Sequence, residues 1–140
     1  MGPSEHLEWS ELAAHDPAST PYPEEWRESR GIPLAHEFEV IRDELGGMPI
    51  RIGSAYRPPA WNRLVGGARF SQHMQGTALD LHPRHCSVAK LQEAAIQVRL
   101  LPGSLIRGVG FYSWGVHIDS REGRRVTWGG KRADSEVRRA

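Results

Sequence analysis

With one cysteine, Cys86, the chain can form no internal disulfide and no thiolate-based zinc finger. That usage suits synthesis in a reducing cytoplasm. No stretch approaches the ~20 apolar residues needed to cross a bilayer, so no membrane span is expected. The N-terminus has neither the basic start nor the apolar run of a secretion signal, so a target outside the membrane has to be reached by another route or in another vehicle. An excess of one charge sign is also missing. The formal net charge of +1 argues neither for nor against nucleic acid, but the bases cluster at an expected tail with no stacking motif beside them, so a nucleic-acid binder has little support. Two further absences concern catalysis. The zinc-protease helix with two histidines four apart around a glutamate does not occur. No paired carboxylates suited to glycan cleavage emerge from the pattern.

What is present describes one small domain. The 140 residues leave room for one core rather than two, and a chain of this size holds it without staples. Fifteen glycines and ten prolines predict many turns and short elements, not a helical bundle. The first 30 residues carry seven acids against Arg27 and Arg30, whereas residues 121–140 carry seven bases against Glu122, Asp134 and Glu136. The basic end reads as a solvated tail, with attraction to an anionic surface such as a cell wall as the alternative. Residues 1–8 and 131–140 are expected to be loose, leaving 9–130 as the folded unit.

Within that unit the apolar periods predict a short helix from Trp9 to His15, then a proline-rich loop to Pro23. Pro33 opens a helix in which Leu34, Phe38, Ile41 and Leu45 fall at helical spacing, stopped by Gly46-Gly47. Ile50 to Ser54 alternates as a strand, and Pro58-Pro59 suit the first turn of a brief helix through Leu64. Thr77 to His82 reads as a strand. Ser87 is a plausible N-cap for a helix through Val98. Val109 to Tyr112, Val116 to Ile118 and Val126 to Trp128 read as short strands of an antiparallel sheet. The expected fold class is α+β, with helices packed on one small antiparallel sheet.

The chemistry lies in Ser71-Gln72-His73-Met74-Gln75-Gly76-Thr77-Ala78-Leu79-Asp80 and, later, Val116-His117-Ile118-Asp119. A hydrolytic zinc site needs three protein ligands and one open position. Two neutral imidazoles and one carboxylate supply them and leave the complex net positive, which lowers the pKa of bound water. Gly76 allows the chain to turn so that His73 and Asp80 face one point, with His117 arriving from a neighbouring strand. Spacing alone leaves surface or satisfied core histidines as the alternative.

The run Ser54-Ala55-Tyr56-Arg57-Pro58-Pro59, then Asn62, Gly66-Gly67, Ser71-Gln72-His73, Gly76, Ala78 and Asp80, resembles the signature of the M15 peptidases. The likeness continues through Gly108-Val109-Gly110-Phe111-Tyr112, Val116-His117-Ile118-Asp119 and Arg125-Val126-Thr127-Trp128, nearly the whole chain, and is nearest the short carboxypeptidase-like subgroup. These are zinc D-Ala-D-Ala carboxypeptidases, murein endopeptidases and phage endolysins. The resemblance implies a hedgehog-like fold, one zinc ion held by His73, Asp80 and His117, and Arg57 as the clamp on a substrate carboxylate or carbonyl oxygen. Its fork of donors also suits an oxyanion. Ser71 then orients the loop or a substrate, and Gln72 is substrate-facing or a surface residue. Tyr112 and Trp114 are expected at a peptide-binding rim, whereas Trp61 and Trp128 read as core.

One position departs from the pattern. Many M15 enzymes carry Glu or Asp three residues before the last zinc histidine, as general base; here Trp114 stands there. Asp119, two residues after His117, is a replacement base or a carboxylate that orients a ligand histidine. His82 is a further proton carrier on the strand of Asp80, and His85 reads as a surface residue. The reading is a monomeric zinc peptidase that cleaves peptidoglycan stem or cross-bridge peptides at the cell wall, from a bacterium or delivered by a phage. The rival is a zinc-containing module that lost its base and binds wall peptide or a protein.

Overall fold

A computed structural model describes residues 2–129. Four helices, α1 (Trp9–Leu12), α2 (Ile32–Glu44), α3 (Pro59–Leu64) and α4 (Val88–Arg99), accompany five strands. The strands are β1 (Ile50–Ser54), β2 (Ala78–Pro83), β3 (Gly108–Tyr112), β4 (Gly115–Asp119) and β5 (Val126–Gly129), in the order β1-β2-β4-β3-β5. The architecture is a small α+β fold.

The helices begin and end where local chemistry allows. Ser87 accepts the Lys90 amide at 3.1 Å and caps α4, which buries Leu91, Ala95 and Val98. Helix α2 buries Leu34, Phe38 and Ile41 and packs on α4. Each such side chain contributes roughly 1.5–3 kcal/mol when fully buried. Before α2 the chain makes a 3-10 turn at Glu24–Trp26 and a π turn at Arg27–Gly31, where no helix was expected. Arg30 lies over the Trp26 ring at 4.0 Å there, and its guanidinium donates to the Gln75 carbonyl at 2.8 Å.

Register sorts the sheet into two unlike faces. On one, Ile52, Leu81, Val116 and Phe111 are successive cross-strand neighbours, as are Leu79, Ile118 and Val109. This apolar face lies against α4, which contacts β2, β3 and β4. On the other face, Asp80, His117, Gly110 and Trp128 form a single cross-strand row. Ala78 to Leu81 are all buried, so β2 is covered on both sides rather than half exposed as simple alternation would have it.

Two expectations are corrected. The sheet is not wholly antiparallel, because β5 pairs parallel with β3. Strand β4 ends at Asp119 beside the start of β3, and the next six residues, 120–125, cross that end, so β5 must start where β3 starts. The described residues of the first eight, 2–8, are not loose. Leu7 is buried in the core cluster, Ser4 Oγ donates to Glu39 at 2.6 Å, and the His6 amide donates to the same carboxylate at 2.7 Å. The tail expected at 131–140 lies outside the described residues. No described helix is long and apolar enough to cross a membrane.

Candidate metal centre

His73 sits in a 3-10 turn, Gln72–Gln75, whose start and stop are both locally determined. Ser71 Oγ accepts the His73 amide at 3.1 Å and caps the turn. Gly76 then takes φ of 70°, a left-handed conformation that a side chain would strain. A Cβ there would also press on Trp26 and Tyr22, and the Tyr22 hydroxyl donates to the Gly76 carbonyl at 2.7 Å. The reversed chain enters β2 and delivers Asp80, which stands opposite His117 of β4.

His73, Asp80 and His117 each offer one ligand atom, and these atoms all lie within 4.8 Å of one another. His73 Nε2 and His117 Nδ1 are both 3.0 Å from Asp80 Oδ1. The outer ring nitrogens are engaged elsewhere. His73 Nδ1 lies 2.6 Å from the Ala55 carbonyl, and His117 Nε2 lies 2.7 Å from Asp119 Oδ2. Those partners are acceptors, so each outer nitrogen carries a proton. The inner nitrogens both face the Asp80 carboxylate, where a ring proton or a bound cation can bridge them. With the inner nitrogens unprotonated, two imidazoles and one carboxylate are a donor set suited to a divalent transition metal. The residues present fit the metal that such a site takes.

Electrostatics follow from burial and these contacts. Burial pushes the Asp80 carboxyl up, but the His73 and His117 rings outweigh it and hold it well below the usual carboxylate range. Burial dominates at His73 and lowers its pKa. At His117 burial also acts downward, yet hydrogen bonds to Asp119 and Asp80 leave its pKa raised.

Around this core the remaining candidates take distinct places. Both oxygens of Asp119 are engaged: Arg121 donates through Nε to Oδ1 at 2.8 Å and through Nη2 to Oδ2 at 2.7 Å, beside His117. Burial raises the Asp119 carboxyl, and Arg121 with His117 more than offsets it. Arg57 is only 2% exposed. Its amide donates to the His73 carbonyl at 3.1 Å, its guanidinium packs beside Gly67 and Asn62, and its charge opposes protonation of His73. Gln72 accepts the Thr77 hydroxyl at 2.9 Å.

Trp114 occupies the β3–β4 turn with an aromatic ring on either side, stacked on His82 at 4.8 Å and on Tyr112 at 4.7 Å. Tyr112 in turn accepts the Trp128 indole N–H at 2.9 Å. Trp128 was expected in the core, yet its ring centroid is 5.1 Å from that of His117, over a Gly110 that leaves no room for a Cβ. His85 is exposed, as expected of a surface residue.

Sequence reasoning missed Arg121, counting it among tail charges; its place two residues after Asp119 on an extended segment was the available signal. A family model described as Peptidase M15 matches residues 6–119, ahead of Arg121 and Trp128. Comparison with curated proteins gives no match.

Proposed function

The chain belongs to the peptidase M15 family, and from that premise we propose that it is a zinc-dependent peptidase hydrolysing the stem or cross-bridge peptides of bacterial peptidoglycan. The observation that carries this reading is the convergence of His73 Nε2, His117 Nδ1 and Asp80 Oδ1, all within 4.8 Å of one another, on one buried point. These three residues would hold the zinc. When bound, zinc supplies Lewis-acid polarisation of a carbonyl and acidification of water.

The chain's own residues do the rest. The Ala55 carbonyl and the Asp119 carboxylate each take a ring proton, fixing both histidines in the tautomer that leaves the inner nitrogen free. Arg121 holds Asp119 through both oxygens, which assigns Asp119 to orienting His117 rather than to reaching substrate. Arg57, a buried cation beside His73, is assigned to the negative charge that develops on the scissile carbonyl oxygen. No acid precedes His117 by three residues, so turnover is expected to fall about 10²–10⁴-fold below that of a site with a base there.

A second reading, a wall-peptide binding module without turnover, is favoured by one observation: Trp114 is stacked between His82 and Tyr112 where an acid would stand. Purified peptidoglycan separates the two. Peptide release and bound metal are measured for wild type, His73→Ala and Trp114→Glu. Cleavage by wild type that disappears in His73→Ala supports the peptidase, and the size of the released fragments tells carboxypeptidase from endopeptidase. A zinc-loaded but inactive wild type, with activity appearing in Trp114→Glu, overturns it in favour of the binding module.

A further inference from the structure

A groove of about 1110 Å³ opens beside the His73 turn, at the end of the sheet where β4 finishes. Arg30, Arg107 and Arg121 line it from three separate segments: the turn before α2, the entry to β3 and the exit of β4. Glu122 is the one acid among the lining residues, and neither His73, Asp80 nor His117 contributes to the wall. The groove is therefore a second place, net positive, next to the metal centre.

From this arrangement we propose that the groove binds a carboxylate of an acidic peptide, apart from the bond at the metal centre. That the ligand is a peptide rests on the peptidase reading above; that it is anionic rests on the groove alone. Among the described residues Arg121 is paired with Asp119, whereas neither Arg30 nor Arg107 forms an ion pair. Both are nonetheless held in place by neutral acceptors. Arg30 donates to the Gln75 carbonyl at 2.8 Å, and Arg107 to the Ser104 carbonyl at 3.2 Å. A guanidinium has five N–H donors in a planar fork, so such anchoring leaves donors for a ligand and matches a planar carboxylate. Like charges gathered around one recess focus a positive potential that an anion relieves. Gln72 and Thr77 also line the groove and bracket the turn that carries His73, so a peptide lying across that turn reaches both places.

The test titrates the metal-loaded full chain with a blocked alanine pentapeptide carrying a central glutamate, and with its glutamine counterpart. Amide shifts of Thr77, Ser120 and Gly123 are followed by two-dimensional NMR. The glutamate peptide should move these signals and bind about tenfold more tightly than the glutamine one. Arg107→Gln should remove that preference, and Glu122→Gln should tighten glutamate binding, with metal content unchanged in both variants. Equal affinity for the two peptides, or a preference that survives Arg107→Gln, overturns the proposal. Cleavage is read in parallel on purified peptidoglycan. A charge preference without cleavage leaves the groove standing and counts against the peptidase reading; cleavage without a charge preference does the reverse.

Discussion

Arg121, Asp119, His117 and Asp80 form one line of contacts, 2.7 Å, 2.7 Å and 3.0 Å long in turn. Arg121 never approaches the proposed metal, yet it fixes the carboxylate that fixes the ring. Arg121→Gln should weaken zinc binding by about 10–100-fold, the usual cost of losing an outer partner of a ligand histidine, as read by competition with a chromophoric chelator. Arg121→Lys, which keeps the charge and loses the fork, should recover part of it. At this scale the sequence pointed to the three residues that cluster, and to Asp119 as a carboxylate able to orient a histidine, but not to Arg121 behind it. His73 and Asp80 flank an obligatory glycine and His117 sits two residues before an acid, patterns visible in one dimension. That Arg121 folds back on Asp119 depends on the chain's path after β4, and a count of charges along the C-terminal stretch hides it. Trp128 alternates as a strand residue should, but which face it joins is decided by pairing with Gly110, which alternation does not encode.

Two elements begin with a serine cap, and they separate stability from function. Ser87→Ala and Ser71→Ala should each cost about 1 kcal/mol, measured by denaturant unfolding. Only Ser71→Ala should also weaken metal binding, because its turn carries His73 while Ser87 serves α4. Equal metal affinity in both variants would show that the turn holds its shape without the cap. Elements set by local chemistry were legible nearly to the residue: β1 spans Ile50–Ser54 as expected, and α4 follows its serine directly. The turns at Glu24–Gly31 were not, since Trp26 and Arg30 are anchored by distant partners, Tyr56 and the Gln75 carbonyl, and show no apolar period. The partner of β5 was also illegible, because a strand pattern says nothing of direction.

The whole molecule is closed by its first residues as well as by its sheet. Burial pushes the Glu39 carboxyl up, and hydrogen bonds from Ser4 and His6 more than offset it, leaving its pKa below the ordinary value. A depressed carboxylate contributes stability that is complete above its unfolded pKa and is lost as pH falls through the folded one. The protection of amides in residues 2–8, taken relative to their intrinsic exchange rates, should therefore fall as pH drops from about 5 to about 3, ahead of α4 and β4, and Glu39→Gln should abolish the dependence. The path of the chain bears on a different question, the order of events in time. His73 and Asp80 are seven residues apart, while His117 follows Asp80 by 37. Closing the longer loop costs about 1.5 kcal/mol more than the shorter one, and the third ligand arrives only when β2 meets β4. The register of that meeting is written on the opposite face, in Leu79 against Ile118 and Leu81 against Val116. An ion bound there would latch a sheet whose register the hydrophobic side chains set. Stripping it with a chelator should speed unfolding in stopped-flow experiments and leave the refolding rate nearly unchanged, so that the metal acts as a lock on a finished structure and not as its seed.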